Sequence, residues 1–215
     1  KILKNKKQNK HYAEFGEDIF INRIFKNKAK GFYIDIGAYH PFKGSLTKKL
    51  HDKGWRGANI DISKTSIDLF NISRPEDLNI NCAIGATTSD IFYYENSPIN
   101  QQNSLIKKND SQKKIQIKSF KLSEIVSKNN IQNIDYINID TEGTEMDILK
   151  GIDFNKINPT LLTIEDNEIF TNFDLEKEMI LYLKNKNYEL INIIGVTLFF
   201  LKKDQVVHIS EMIKI

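Results

Sequence analysis

The sequence predicts a Rossmann-like α/β fold with a mostly parallel sheet that finishes in a C-terminal antiparallel hairpin. Two observations lead to this prediction. Short apolar runs of strand length alternate along the chain with amphipathic segments, a pattern typical of a parallel sheet covered by helices. The last two predicted strands are joined by only a few residues, too few for a parallel crossover, so they are expected to pair antiparallel.

The first half of the chain follows this alternation. A helical pattern over 13–25 precedes the apolar run Phe32–Ile36, which is typical of a buried parallel strand. Gly54 lies just past a predicted helix over 45–53, where helices commonly stop. The next predicted elements are a strand over 56–62, a helical turn over 67–70 and a third strand over 78–84.

The alternation is interrupted between 87 and 121. Strands are predicted over 91–94 and 115–120, on either side of the polar segment 96–114. The amides of this segment could hydrogen-bond a sugar, or the segment could be a solvated loop; they are Asn100, Gln101, Gln102 and Asn103. Regular elements then return, and they are a helix over 122–128, a strand over 134–139, a helix over 145–149, a strand over 161–164, a helix over 174–186 and strands over 188–193 and 197–201.

Length and charge predict one domain with a basic tail. The 215 residues, 40% of them hydrophobic, fit a single α/β domain over 11–215. Residues 1–10 hold five lysines and no acid, so the rest of the chain is slightly acidic despite a net charge of +3. We interpret the tail as a solvated helix or linker, and because no basic stripe with interleaved aromatics occurs, we expect no nucleic-acid partner.

The sequence also indicates where the protein works. No window approaches the roughly 18 uninterrupted apolar residues of a membrane span, so a soluble protein is expected. Cys82 is the only cysteine, which rules out an intrachain disulfide and favours a reducing compartment, the cytoplasm. Frequent Lys, Asn and Ile are typical of an AT-rich bacterial gene. Whether the protein forms a homo-oligomer is left open.

The ends of the first two predicted strands predict a nucleoside site. In doubly wound folds, ligands bind beyond the carboxyl ends of the strands. Gly37 would let the backbone turn sharply there, Asp35 could accept hydrogen bonds, and Asp61 is spaced to bind ribose hydroxyls. Because Gly37 is followed by Ala-Tyr-His-Pro, the Gly-x-Gly-x-x-Gly pattern of pyrophosphate binding fails. The site therefore suits a nucleoside without pyrophosphate better than NAD.

An ordered set of short motifs resembles the FkbM family of S-adenosylmethionine-dependent methyltransferases. The matching pieces cover roughly residues 11 to 201 and are FGED at 15–18, FYIDIGAYHP at 32–41, GWRG at 54–57 with Ile60-Asp61, NCAIG at 81–85, INIDTEGTE at 137–145 and LKG at 149–151. The resemblance implies the class I methyltransferase variant of the Rossmann-like fold. The chain departs from the family at Ala13-Glu14, where Ser-Gln is usual, and at Asn138, where Lys is usual.

The resemblance also implies which residues bind S-adenosylmethionine. The implied contacts come from residues that border the predicted pocket, where Asp61 would bind the ribose and Ala83 would lie beside the adenine. The expected cofactor-binding residues are Glu17, Asp35, Gly37, Ala38, Asp61, Ile62 and Ala83.

A hydroxyl acceptor needs a base or a metal, because an alcohol is a poor nucleophile until its proton is removed. The candidate catalytic residues are His40, Asp140 and Glu165, each following a predicted strand. Asp140, Asp166 and Asn167 offer oxygen ligands for Mg²⁺ or Mn²⁺, similar to the metal site of catechol-type O-methyltransferases. The alternatives are that the acids bond loop backbone or cap a helix, and that His40 is a packing residue.

These observations predict a methyltransferase that acts on an oxygen atom. The resemblance implies O-methylation of a sugar or nucleotide-sugar hydroxyl, in bacterial surface-glycan biosynthesis, by analogy alone. Three alternatives stay open at this point: a binding module that keeps the fold without turnover, a nucleic-acid methyltransferase, and an NAD-dependent oxidoreductase, which lacks the glycine pattern.

Overall fold

The computed structural model of the chain describes residues 11–100, 103–107, 109–172, 174–175 and 177–206. The predicted basic tail over 1–10 lies outside these residues, as do Gln101 and Gln102 of the polar segment. In chain order the elements are α1 (Glu17–Ile24), β1 (Phe32–Ile36), α2 (Lys48–Asp52), β2 (Arg56–Asp61), α3 (Lys64–Ser73), β3 (Leu78–Asn81), β4 (Ala83–Ile84), β5 (Ser89–Glu95), β6 (Lys113–Phe120), α4 (Leu122–Lys128), β7 (Tyr136–Ile139), α5 (Glu145–Lys150), β8 (Leu161–Glu165), α6 (Glu178–Asn185), β9 (Tyr188–Ile194) and β10 (Thr197–Lys202).

The main sheet has seven strands in the order β3-β2-β1-β7-β8-β10-β9. Its first five strands are parallel, because β1 pairs parallel with β2 and β7, β2 with β3, and β7 with β8. β10 pairs antiparallel with both β8 and β9. The predicted fold, a mostly parallel sheet that finishes in an antiparallel hairpin, is therefore confirmed.

Helices bury both faces of this sheet. Successive side chains of a strand point to opposite faces, so Ile34 and Ile36 of β1 belong to one apolar cluster and Tyr33 to the other. Residues of α4, α5 and α6 pack in the first cluster, and residues of α1 and α2 in the second. Trp55 is fully buried in the second cluster, which agrees with a packing role.

The single strand predicted over 78–84 is wrong. β3 ends at Asn81, and β4 belongs to a separate three-stranded sheet with the order β4-β6-β5. The backbone N–H of Cys82 still donates to the carbonyl of Asp61, and the Asn81 side-chain amide donates to the carbonyls of Asp61 and Ile62. These bonds hold the chain beside the end of β2 while it passes from one sheet to the other.

The helix boundaries differ from those predicted. The helical turn expected over 67–70 is the ten-residue helix α3, which begins where the Ser63 side chain accepts a hydrogen bond from the N–H of Ser66. The helix expected from residue 13 begins only at Glu17, because Gly16 has a left-handed φ of 86°. Within the described ranges, none of the helices has both the length and the apolar character needed to cross a bilayer.

Candidate active site

A cavity of about 300 Å³ opens beyond the carboxyl ends of β1, β2, β7 and β8. The order of strands reverses between β1 and β7, and this is the switch point at which doubly wound folds bind ligands. The described residues that line the cavity are Glu14, Phe15, Ile36, Gly37, Tyr39, Ile60, Asp61, Ile62, Cys82, Ala83, Ile84, Asn100, Asn103, Leu105, Asp140, Thr141, Glu142, Thr144, Glu165, Asn167 and Val196.

Gly37 lets the loops after β1 and β7 approach each other closely. Its φ is +79°, and a Cβ atom built on it would lie 1.5 Å from the backbone oxygen of Asp140. The N–H groups of Gly37 and Ala38 both donate to the carbonyl of Ile60, which ties the same loop to β2. Glycine is therefore required for contact between two loops of the protein, and its backbone also lines the cavity.

Asp61 presents a preformed acceptor at the end of β2. Its Oδ2 accepts a hydrogen bond from the N–H of Tyr39 and its Oδ1 one from the N–H of Ser63, both at 2.7 Å. Burial raises the pKa of the Asp61 carboxyl to about 6. Each carboxylate oxygen keeps a second lone pair, so both oxygens can still accept hydrogen bonds from the hydroxyls of a ligand.

An apolar wall adjoins Asp61. Ile62, Cys82 and Ala83 line this part of the cavity, and Ala83 is almost completely buried. Burial raises the pKa of the Cys82 thiol to about 12, so this thiol stays protonated and packs as a small apolar group. Ala38, in contrast, is buried but does not line the described part of the cavity.

Asp35, a predicted cofactor contact, lies behind the described lining of the cavity. It is 2% exposed, does not line the cavity, and accepts hydrogen bonds from Thr47 Oγ1 at 2.8 Å and Asn138 Nδ2 at 2.9 Å. Asn138 Oδ1 in turn accepts a bond from Thr163 Oγ1 at 2.7 Å. These bonds link β1, β7 and β8 beneath the cavity. Asn138, where the family usually has Lys, is thus part of the support of the site.

Glu17 also lies behind the cavity wall. It is 3% exposed, and its Oε2 accepts a hydrogen bond from the N–H of Phe15 at 2.8 Å. Burial raises the pKa of the Glu17 carboxyl. Glu17 is not among the described lining residues, and its position is one from which it orients Phe15, which does line the cavity.

Three carboxylates meet on the other side of the cavity. One oxygen each of Asp140, Glu142 and Glu165 can be chosen so that all lie within 4.8 Å of one another. Burial, followed by the charge of Glu165, raises the pKa of Asp140 well above its usual value. Burial and the charge of Glu142 raise the pKa of Glu165. Two such groups titrate as a unit, so Asp140 and Glu165 are able to hold one shared proton.

The metal set predicted from the sequence does not come together. Asp166 is not among the described lining residues, because its Oδ2 pairs with Lys177 Nζ at 2.6 Å and its Oδ1 accepts the N–H of Glu168 at 3.0 Å. Asn167 does line the cavity beside Glu165. The group with the spacing of metal ligands in the described residues is the cluster of Asp140, Glu142 and Glu165 described above.

His40 lies in the loop after β1, outside the described lining of the cavity. Its Nδ1 accepts hydrogen bonds from the N–H groups of Phe42 and Lys43, both at 3.1 Å. Burial, followed by the charge of Lys43, lowers the pKa of the imidazole. The neutral ring is therefore favoured, and the contacts of His40 are those of a residue that shapes its own loop.

Several lining residues belong to no motif that could have revealed them. Tyr39 reaches the cavity because its backbone adopts a φ of 52°, and Val196 because the β9–β10 turn folds toward β8. Asn100 and Asn103 of the polar segment line the cavity as well. The Asn103 side chain is used within that segment, since it accepts from the N–H of Asn96 and donates to the carbonyl of Ser97.

Comparison with known proteins agrees with this geometry. No curated protein is similar enough to the chain to be counted as a relative. The family model of the methyltransferase FkbM domain matches residues 35–190, which include the last two residues of β1, all of β2, β7 and β8, and most of the residues that line the cavity. Since that match spans well over half of the sequence, the chain belongs to the FkbM family of methyltransferases.

Proposed function

We propose that this methyltransferase uses S-adenosylmethionine to methylate a hydroxyl of a sugar or nucleotide-sugar, in bacterial surface-glycan biosynthesis in the cytoplasm. One observation carries the proposal: a wall suited to a nucleoside and a pair of carboxyls whose pKa values are raised face the same cavity. Asp61, Ile62 and Ala83 form the wall, and Asp140 and Glu165 form the pair.

The residues present fit the cofactor. The two free hydroxyls of the cofactor's ribose can donate hydrogen bonds. Asp61 offers two acceptor oxygens, which backbone N–H groups already hold in place. Ile62 and Ala83 offer apolar contact for adenine without a bulky side chain. When bound, S-adenosylmethionine supplies a methyl group activated by a sulfonium.

The carboxyl pair suits a hydroxyl acceptor. Methyl transfer to the acceptor oxygen would leave the carbon–sulfur electron pair on the cofactor, so the chain itself has to supply a group that takes the hydroxyl proton. The hydroxyl proton passes to the pair formed by Asp140 and Glu165. Glu165 lines the cavity, and among the described residues its buried Oε2 has no hydrogen-bond partner, so this oxygen is available to take up a proton. Fixing both reactants in line supplies much of the acceleration.

The same carboxylates offer a second way to activate the hydroxyl. In place of the predicted set, Asp140, Glu142 and Glu165 would supply the oxygen ligands that Mg²⁺ or Mn²⁺ prefers. The cation would lower the pKa of a bound hydroxyl. If this route operates, activity is lost in EDTA and returns with Mg²⁺. Full activity after thorough chelation leaves the proton-sharing pair as the route.

A transfer assay with methyl-labelled S-adenosylmethionine tests the proposal. We expect label in at least one neutral sugar or nucleotide-sugar of a broad panel, and the label should resist base hydrolysis, as a methyl ether does and a methyl ester does not. Glu165→Gln should bind S-adenosylhomocysteine normally and lose transfer. Tight cofactor binding with no transfer to any acceptor would contradict the proposal and favour a binding module without turnover.

A further inference from the structure

Two hydroxyls and a carboxylate form a hydrogen-bonded chain in the loop that follows β7. Thr141 and Thr144 both line the cavity. The Thr144 hydroxyl donates a hydrogen bond to the hydroxyl oxygen of Thr141 at 2.9 Å, and the Thr141 hydroxyl donates to Oε1 of Glu145 at 3.0 Å. The chain therefore runs from the wall of the cavity to a carboxylate that is buried behind it.

The carboxylate of Glu145 fixes the direction of these two bonds. An ionised carboxylate can only accept hydrogen bonds. Glu145 also accepts from the backbone N–H of Thr141 at 2.9 Å and, with both oxygens, from the N–H of Gly143 at 3.1 Å. The Thr141 proton therefore points to Glu145, and the Thr144 proton points to Thr141. The single proton of each hydroxyl is used inside the loop.

Thr144 consequently presents lone pairs, and no proton, to the cavity. A hydroxyl has one donor hydrogen and two acceptor lone pairs, and the hydrogen of Thr144 is committed to Thr141. A threonine directly before a helix commonly accepts a hydrogen bond from a backbone N–H of that helix. In the described contacts, the Thr144 side chain makes no such bond to α5. Its oxygen is therefore able to accept a hydrogen bond from a ligand.

Contacts with the segment after β5 hold the loop in place. Ser104 Oγ donates to the carbonyl of Glu142 at 3.1 Å. Gly143 has a φ of +116°, a conformation that favours glycine, and a Cβ atom on it would lie 2.7 Å from Ile106 Cδ1. The loop is thus packed closely before a ligand binds, which lowers the cost of ordering it on binding.

The loop lies beside the carboxyl pair and away from the nucleoside wall. Burial is the largest cause of the raised pKa values of Asp140 and Glu165, and the negative charge of Glu145 adds to both, so the loop is within electrostatic reach of the pair. Asp61 ends β2, which is separated from β7 by β1. Thr144 is therefore on the side of the cavity at which the acceptor is proposed to bind.

From these features we infer that Thr144 is a specificity-determining residue whose hydroxyl oxygen accepts a hydrogen bond from a second hydroxyl of the acceptor sugar. This inference rests on the proposed function and deepens it, because one hydroxyl loses its proton to be methylated while a different hydroxyl is recognised by Thr144. It holds equally if a divalent cation activates the first hydroxyl. Thr141 and Glu145 are positioning residues, since they turn the Thr144 proton away from the cavity.

Removal of single hydroxyls from the acceptor, combined with Thr144→Val, tests the inference on the full chain. The probes are glucose, galactose, mannose and N-acetylglucosamine with their nucleoside-diphosphate forms, and the monodeoxy analogues of those that are methylated. Valine keeps the shape of threonine and removes the oxygen. At one position other than the methylated one, loss of the hydroxyl should lower kcat/KM about tenfold in the unaltered protein, as expected for one hydrogen bond, and less than about twofold in Thr144→Val.

Matched variants separate recognition from a structural role. Thr144→Val should raise KM for the acceptor about tenfold without changing the affinity for S-adenosylhomocysteine, and Thr144→Ser, which keeps the oxygen, should restore most of the loss. Thr141→Val frees the Thr144 proton, so it should reduce discrimination against a deoxyfluoro analogue, whose fluorine can only accept.

Two results would overturn the inference. One is an equal response of the unaltered protein and Thr144→Val to every monodeoxy analogue, and the other is a loss of S-adenosylhomocysteine affinity in Thr144→Val. Failure of the unaltered protein to methylate any probe would instead refute the proposed function, and the inference with it.

Discussion

Gly37→Ala adds a single methyl group, and the structure predicts that it strongly lowers the stability of the fold. The new Cβ atom would lie 1.5 Å from the backbone oxygen of Asp140, whereas ordinary contacts begin near 3.4 Å. One of the two loops must therefore move by about 2 Å. That movement breaks the hydrogen bonds from the N–H groups of Gly37 and Ala38 to the Ile60 carbonyl, and it displaces Asp140 from its place in the site.

The magnitude follows from two contributions, and a second glycine isolates one of them. An alanine at positive φ costs about 1–2 kcal/mol. Two lost backbone hydrogen bonds add about 1 kcal/mol each, so Gly37→Ala should destabilise the fold by about 3–4 kcal/mol. Gly54 has a φ of +102°, but a Cβ atom added to it would meet nothing within 4 Å, so Gly54→Ala should show the strain alone, about 1–2 kcal/mol.

Thermal and urea unfolding of both variants measure this difference. For a domain of this size 1 kcal/mol corresponds to about 2–4 °C, so the melting temperature should fall by about 10 °C in Gly37→Ala and by about 3 °C in Gly54→Ala. Only Gly37→Ala should also lose cofactor affinity. Equal destabilisation by the two substitutions would refute the reasoning, because it would mean that the contact with Asp140 is not limiting.

Three further predictions concern the site. Glu165→Gln should cut turnover at least about 100-fold with little change in cofactor affinity. The substitution removes a charge that raises the pKa of Asp140, so the pH at which the remaining activity appears should be lower than in the parent protein. An unchanged pH profile would count against the shared proton. The affinity for S-adenosylhomocysteine should fall about tenfold per pH unit below pH 6, because Asp61, whose pKa is raised to about 6, must be ionised to accept hydrogen bonds from two hydroxyls. Calorimetry should find that Asp61→Asn abolishes this pH dependence. A pH dependence that persists in the variant would assign it to another group. His40→Ala should keep turnover within a few-fold of normal, since in the described contacts His40 bonds only residues of its own loop. A loss of about 100-fold in a steady-state assay would instead indicate that His40 is the catalytic base.

Much of the fold follows from local patterns in the sequence. β1 and β7 are mostly apolar runs of strand length, each with one polar residue before its last isoleucine, and the short β9–β10 connection permits only antiparallel pairing. The break at Cys82 could not be predicted in this way. The run from Leu78 to Ile84 contains no glycine or proline that would mark a break. The change of sheet depends on bonds from Asn81 and Cys82 to the end of β2, which is distant in sequence.

The candidate site was predictable at the strand ends and less so behind them. Asp61, Gly37 and Asp140 line the cavity because each follows a parallel strand. Asp35 carries the same kind of side chain in the same motif, but strand alternation turns it toward Thr47 and Asn138. The close approach of Phe15 to Gly195, near the other end of the chain, could not be predicted from spacing along the sequence.

The most direct test of the account is a calorimetric titration of the full chain with S-adenosylmethionine, and separately with NAD. The account predicts binding of S-adenosylmethionine at micromolar concentration, weakened in Asp61→Asn, and no binding of NAD, because the loop after β1 lacks the glycines that support a pyrophosphate. A folded protein that binds NAD, or that binds neither compound with and without Mg²⁺, would contradict the central claim.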